Sequence, residues 1–237
     1  MKAILFCGVM LLFSAAWCQQ PATKSGAYEY RSPGAGGTGK WYMGREIAHI
    51  MGASGASWLE RSSRSREENT DLMVKHMNIK PGQVLADIGA GTGYYTFRVA
   101  KLSAPGKVYA VEIQDELIKT LNNKKRGDNV TNVEVVKGDS VSVNLPGSSV
   151  DVVFMVDVYH ELLWPKEILQ SIRKSLKPGG KLILIEYKGE DPEIRIKPLH
   201  KMTIAQLTRE LNANGFVLEK HVDEMPIQHL TVWGCEK

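Results

Sequence analysis

The stretch that decides the fold reads Val84-Leu85-Ala86-Asp87-Ile88-Gly89-Ala90-Gly91-Thr92-Gly93. It is an apolar, β-prone run that carries one acid and ends with glycine at every second position. The segment after it, residues 94–102, has apolar residues at helical spacing, so the local prediction is strand, glycine turn, helix. Glycine suits such a turn because the backbone must adopt positive φ and let a ligand approach without Cβ atoms in the way. The helix that follows offers unpaired N–H groups to that ligand. Alone, the pattern fits either a nucleotide-binding turn or an ordinary tight connection.

Downstream, strands and helices alternate. Residues 107–111 (KVYAV) read as a strand, 114–124 as a helix, 133–137 and 150–156 (VDVVFMV) as strands, 164–176 as a helix and 181–186 (KLILIE) as a strand. Alternation of this kind predicts an α/β, Rossmann-like, doubly wound sheet with right-handed crossovers. The ending differs. After a helix over 203–214 and Gly215 come strands 216–222 and 229–235, joined by only 223–228, which is too short for a crossover helix and therefore predicts an antiparallel pair. Upstream of the glycine turn, Ser65-Arg66-Glu67-Glu68 has the form of a capping box and predicts a helix over 66–77.

The N-terminal part is organised differently. Lys2, the apolar run 3–13 and the small-residue zone 14–18 form a secretory signal peptide over residues 1–18, with cleavage after Ala16 or Cys18. The protein is therefore expected to be exported, periplasmic or secreted, with no stable membrane insertion once the signal is cleaved. Residues 19–40 are rich in Gly, Ser, Pro, Ala and Thr and read as a flexible linker. Within them 34–40 (GAGGTGK) nearly spells a phosphate loop, but Trp41 stands where Ser or Thr should hold Mg²⁺ and no strand precedes it. Residues 41–66 combine Trp41, Tyr42, Ile47, Ile50, Met51 and Trp58 with arginines, which predicts an N-terminal helical extension or cap on a domain spanning 67–237.

Composition narrows the function. The chain has 237 residues and a net charge of +4 with acids and bases interspersed, so a nucleic-acid partner is not expected. Of the three cysteines only Cys235 lies beyond the signal segment, which excludes an intramolecular disulfide and thiolate-built metal sites in the mature chain.

Two nucleotide readings compete at the glycine turn. A dinucleotide site wants a third glycine where this chain has Tyr94. Nineteen residues past Gly93, at the end of the second strand, Glu112 can accept hydrogen bonds from both hydroxyls of a ribose. Gly138-Asp139-Ser140 follows the third strand and Asp157 the fourth. The carboxyl ends of neighbouring parallel strands meet at one crevice, so Asp87, Glu112, Asp139 and Asp157 are expected around one ligand. Four acids repel a pyrophosphate and suit a ligand with a sulfonium and an ammonium.

VLADIGAGTG, VYAVE, the Gly138-Asp139 pair, DVVFMVD and the LKPGGKL run over 176–182, in this order and spacing, resemble the motifs of class I S-adenosylmethionine (SAM)-dependent methyltransferases. The resemblance runs from about residue 67 to 237 and implies a seven-stranded sheet, mostly parallel with an antiparallel last strand. It implies that Asp87, Gly89, Gly91 and Gly93 hold the methionine part of SAM and Glu112 the ribose. It further places Asp139 and Ser140 at the adenine and Asp157 near the methionine ammonium. The motifs also fit ubiquinone or menaquinone biosynthesis enzymes and, faintly, isoaspartate repair methyltransferases.

Methyl transfer from a sulfonium needs alignment more than acid or base chemistry. His160, just past the fourth strand, is the candidate general base, or else a polar residue opening the next helix. His160-Glu161 begins like a zinc-protease HExxH, but Trp164 replaces its second histidine and no other histidine pair has ligand spacing, so no metal is expected. The expected activity is SAM-dependent methylation of a small-molecule acceptor through an O, N or C nucleophile. A non-catalytic binder of SAM or S-adenosylhomocysteine (SAH) and a nicotinamide oxidoreductase are the alternatives. The acceptor and the oligomeric state carry no sequence signature.

Overall fold

The computed structural model describes residues 23–236. Four short strands come first, β1 (Thr23–Ser25), β2 (Tyr28–Tyr30), β3 (Gly37–Tyr42) and β4 (Arg45–Ala48), paired antiparallel in sequence order. Three helical pieces follow: α1 (Ala56–Leu59), α2 (Arg64–Glu68) and α3 (Thr70–Met77). The main body then runs β5 (Leu85–Ile88), α4 (Thr96–Ser103), β6 (Val108–Glu112), α5 (Asp115–Gly127), β7 (Val133–Lys137) and β8 (Val150–Val156). It continues with α6 (Pro165–Ser175), β9 (Leu176–Tyr187), α7 (Ile204–Asn212), β10 (Phe216–Val222) and β11 (Gln228–Cys235).

The seven main strands lie in the order β10-β11-β9-β8-β5-β6-β7. Strands β5 to β9 pair in parallel, and β11 runs antiparallel to both of its neighbours, as the short final connection predicts. Strand order reverses between β5 and β8, which sets the ligand crevice of a doubly wound sheet at their carboxyl ends. Alternate strand residues enter opposite layers. Leu85, Phe154, Ile183 and Ile185 pack toward α3, α4 and α5, whereas Ala86, Met155, Leu182 and Leu184 pack toward α6, α7 and Trp233. Two buried faces explain why the central strands are almost continuously apolar in sequence.

The N-terminal expectations need correction. From Thr23 on, the segment read as a flexible linker forms β1, β2 and the start of β3, and the extension is a β-sheet followed by short helices, not a helical cap. Its organiser is Glu46, 6% exposed, whose carboxylate accepts hydrogen bonds from Gly34 N at 3.0 Å and Gly39 N at 2.8 Å. A Cβ at Gly37 would lie 2.2 Å from that carboxylate. The 34–40 loop is therefore an anion cradle after all, and its anion is the chain's own Glu46. Ile47, expected on a helix face, lies on β4 and packs fully buried with Tyr28 and Tyr42.

This small sheet is bolted to the main body by polar contacts. The Tyr28 hydroxyl donates to Glu167, the Tyr28 ring meets Trp164 edge-on at 5.2 Å, and Arg45 grips Glu210 bidentately at 2.6 and 3.1 Å. The helix expected over 66–77 is split at Asn69, whose φ of 53° is left-handed and ends α2. Residues 1–18, expected to be a signal peptide, and 19–22 lie outside the described residues. Among the described residues no helix is long and apolar enough to cross a membrane.

Candidate active site

Strand β5 delivers Asp87 to the crevice, and the turn after it carries Gly89, Gly91 and Gly93 at φ of +72°, +57° and +81°. The conformation and the crowding both demand glycine. A Cβ at Gly93 would stand 2.5 Å from the Phe97 ring, and one at Gly89 2.7 Å from Val158. Asp87 is 4% exposed and accepts a hydrogen bond from the Thr96 hydroxyl at 2.5 Å. Burial raises its carboxyl to about 7; the Thr96 bond opposes the rise and the Glu112 charge adds to it.

Glu112 ends β6 and is 4% exposed. Its Oε2 accepts from Gly91 N at 2.9 Å, and its Oε1 from Ile113 N at 2.8 Å and Gln114 N at 3.0 Å. The acid thus ties the glycine turn to the second strand and keeps one lone pair, on Oε2, for a ligand's hydroxyl. Asp157, at φ 54°, receives both of its contacts from Gln228 Nε2, at 2.9 and 2.7 Å. Burial lifts its carboxyl well above the usual range, with Glu68 and Glu186 adding to the effect. The Glu112 charge reaches Asp87, and the Arg64 charge reaches both Asp87 and Asp157. Asp139 and Ser140 are exposed at the outer strand; Asp139 Oδ1 caps its own turn through Val141 N and Ser142 N, and Gly138 N donates to Glu112 O at 3.1 Å.

His160 is not the free base that its position in the sequence suggests. It is 2% exposed, with Nδ1 at 2.6 Å from Glu186 and Nε2 at 3.1 Å from His200 Nδ1. Burial alone would hold its pKa down, but the Glu186 and Glu161 carboxylates override it and push the imidazolium up to about 10. At neutral pH it carries its proton and cannot accept another.

Other residues emerge only in the fold. Arg64 and Glu68 form a buried ion pair at 2.8 Å, and Glu68 also receives Arg61 at 2.7 Å and the Tyr187 hydroxyl at 3.0 Å. The Arg64 guanidinium lies over the Tyr94 and Tyr95 rings and moderates the charges of Asp87 and Asp157. The capping-box signal marked Glu68, but nothing local marked its partners. Leu59 Cδ1 approaches to 2.9 Å of where a Gly91 Cβ would be, so α1 lies across the glycine turn.

A ligand with cationic and nucleoside parts fits this chemistry. The Thr92 hydroxyl is buried beside the turn with no hydrogen-bond partner, Gly89, Gly91 and Gly93 pack too closely against Val158, Leu59 and Phe97 to admit a side chain, and the acids suit a cation. The cleft between Leu59, Arg64 and Asp87 measures about 30 Å³. A cofactor pocket needs ~300 Å³ or more, so the cleft must widen to admit one.

Known proteins agree with this geometry. A family profile described as "Methyltransferase domain" matches residues 86–184. The chain is 33% identical over 118 residues to a tRNA U34 carboxymethyltransferase of Desulfotalea psychrophila, covering 50% of this chain and 37% of that one. It is 30% identical over 116 residues to the ubiquinone/menaquinone biosynthesis C-methyltransferase UbiE of Ectopseudomonas mendocina, covering 48% and 45%. The matched segment thus spans less than half the length of these relatives. A crystal structure of a SAM-dependent methyltransferase from Aquifex aeolicus superposes with a TM-score of 0.73 at 25% identity, over 78% of this chain and 98% of that one. The tRNA enzyme removes support for excluding nucleic acid on charge alone. Together these matches show a methyltransferase domain over residues 86–184, set in the seven-stranded sheet of a Rossmann-like methyltransferase fold.

Proposed function

We propose that the protein methylates a small molecule through an O, N or C nucleophile, using SAM, and that it does so after export directed by residues 1–18. The observation that carries the reading is the pair of buried acids, Asp87 and Glu112, with the half-buried Asp157, around a glycine turn whose Thr92 hydroxyl lacks a partner. When bound, SAM supplies a methyl group already activated by its sulfonium. Asp87 and Asp157 would hold its cationic groups, Glu112 its ribose and the glycine turn its methionine part. Tyr94, Tyr95 and Leu59 exclude water from the cleft.

Because the chain mainly positions and desolvates the reactants, no side-chain base is required of it, and a proton released by an O–H or N–H acceptor passes to solvent as the product leaves. His160, already protonated, is not needed as a base. Calorimetric titration with SAM, SAH and NADH tests the cofactor, and NADH binding without SAM binding would overturn the reading. Transfer of label from SAM to a small-molecule extract, with a tRNA pool alongside, tests the acceptor class. Binding without transfer to either would instead identify a SAM-binding protein. Sequencing the N-terminus of the protein recovered from the export compartment tests the signal.

Two variants examine the cleft. Glu112→Gln keeps shape but removes the charge and one acceptor, so SAM affinity falls by about 1.5–3 kcal/mol, the scale of charged hydrogen bonds, while far-UV circular dichroism is retained. Unchanged affinity would remove Glu112 from the site. Leu59→Ala loosens the segment over Gly91 and raises the SAM association rate in stopped-flow mixing; an unaltered rate would mean that α1 does not gate entry.

A further inference from the structure

The fold brings together three side chains that sequence spacing keeps apart. His160 Nε2, Glu161 Oε1 and His200 Nδ1 form a triangle with edges of 3.1, 3.7 and 3.2 Å. We propose that these three residues bind a divalent transition-metal ion of the zinc class. Ligand atoms at ~2.0–2.1 Å from an ion in tetrahedral coordination stand ~3.3–3.4 Å apart, and the three edges bracket that spacing. Two imidazoles and one carboxylate suit Zn²⁺, Fe²⁺ or Co²⁺ far better than Mg²⁺ or Ca²⁺.

Each ligand is already aimed. His160 Nδ1 lies 2.6 Å from Glu186 Oε2, so a proton on Nδ1 directs the Nε2 lone pair into the triangle. Glu186 is itself fixed, because its Oε1 accepts from Tyr159 N at 2.8 Å. The second oxygen of Glu161 accepts from Met51 N at 3.0 Å, which leaves Oε1 facing the histidines. The His160 carbonyl is pinned by Arg45 Nη1 at 3.1 Å. A merely structural histidine pair needs none of this alignment. Side-chain exposures of 2%, 11% and 21% for His160, Glu161 and His200 describe a sheltered site open at the His200 side. An ion there takes the place of the proton that His160 and His200 otherwise share across 3.1 Å.

Three protein ligands leave at least one coordination position for water or for an oxygen, nitrogen or sulfur of another molecule. The site follows β8 directly and leans on the end of β9, and Val158, two residues before His160, touches the Gly89 turn. A metal-bound acceptor would thus be presented beside the cofactor cleft. That role rests on the methyl-transfer reading; the metal site does not.

The test uses metal-free protein carrying no histidine tag, titrated with Co²⁺ and then with Zn²⁺. One Co²⁺ per chain with visible bands of a nitrogen–oxygen tetrahedral site, displaced by one Zn²⁺, is expected. His200→Ala, on an accessible turn, lowers Zn²⁺ affinity at least a hundredfold, and Glu186→Gln lowers it by about 10–100-fold. His221→Gln, beside His229 on the terminal hairpin at a ring distance of 5.7 Å, leaves it unchanged. Nitrogen-15 histidine spectra of the unaltered protein add a readout that needs no variant, with Zn²⁺ shifting the His160 and His200 rings. No stoichiometric binding, or binding lost in His221→Gln and kept in His200→Ala, overturns the proposal. Zn²⁺ binding in a protein that fails to bind SAM would keep the site and discard only its role.

Discussion

Replacing Arg45 with alanine should cost about 3–5 kcal/mol of stability. Arg45 reaches from the end of the small N-terminal sheet to Glu210 on α7, with Nε at 2.6 Å and Nη2 at 3.1 Å from its two oxygens. Glu210 is fully buried, and its remaining donors are the Tyr159 hydroxyl at 2.7 Å and Gln206 Nε2 at 2.7 Å. Those neutral groups cannot balance a buried carboxylate, so removing the guanidinium leaves an uncompensated charge rather than merely a lost contact. For a chain of this size the loss corresponds to a fall of ~6–20 °C in Tm.

Urea unfolding followed by circular dichroism measures it. Arg31→Ala serves as the control, because the Arg31–Glu29 pair is solvent-exposed and is worth ~1 kcal/mol or less. If Arg45→Ala were as mild as Arg31→Ala, the ion pair would not anchor the sheet. Pairing Arg45→Met with Glu210→Leu should recover much of the loss, since apolar groups of similar volume can replace a buried ion pair.

The two halves of the molecule differ in how plainly their sequence speaks. Strands β7, β8 and β10 begin and end where residues 133–137, 150–156 and 216–222 suggest, because each is a local run of β-prone residues bounded by turns. The antiparallel ending follows from the length of one loop. The N-terminal sheet has no such local signal. Its strands are three to six residues long, and the groups that order it lie outside each short run: Glu46 on β4 for the Gly34 and Gly39 amides, and Glu167 and Glu210 of the main body for Tyr28 and Arg45. Glycine-rich composition resembles a linker when the partner that fixes each glycine is distant in sequence.

The site divides in the same way. Asp87, Glu112 and Asp157 are legible because each sits at the end of a strand and the topology brings strand ends together. His200 is not, since it meets His160 only through the path of the chain between β9 and α7, and the forty-residue separation carries no motif. Leu59 and Arg64 enter the cleft from the segment that the sequence marks as a cap, without marking which of its residues face the site.

Asp87→Asn should separate stability from cofactor binding. The native carboxyl titrates near pH 7 against an ordinary 3.8, chiefly because it is buried and despite the Thr96 bond, with Glu112 adding repulsion and Arg64 relieving it. Between these pH values the native state holds a proton that the unfolded chain has released, so this contribution to stability declines as pH rises and is gone above about 7. At ~1.4 kcal/mol per pH unit, ionised Asp87 costs the ligand-free protein ~4 kcal/mol at pH 8. An uncharged asparagine lacks that cost, so Asp87→Asn is more stable than the unaltered protein at pH 8 by up to this amount, and the advantage narrows toward pH 5.

Cofactor binding responds in the opposite sense. A sulfonium or ammonium needs the carboxylate, so below pH 7 binding must expel the proton and affinity declines by up to tenfold per pH unit as pH falls. Calorimetry in two buffers of different ionisation enthalpy would register that proton release. In Asp87→Asn, SAM affinity is at least tenfold weaker at pH 8 and loses this dependence on pH. Denaturant curves at pH 8 and pH 5 check the first half of the argument and SAM titrations the second. A variant less stable than the unaltered protein at pH 8 would show that Asp87 is satisfied as an anion in the empty cleft. Undiminished SAM affinity would place the cofactor's positive charge elsewhere, with Asp157 and Glu68 as the remaining acids to hold it.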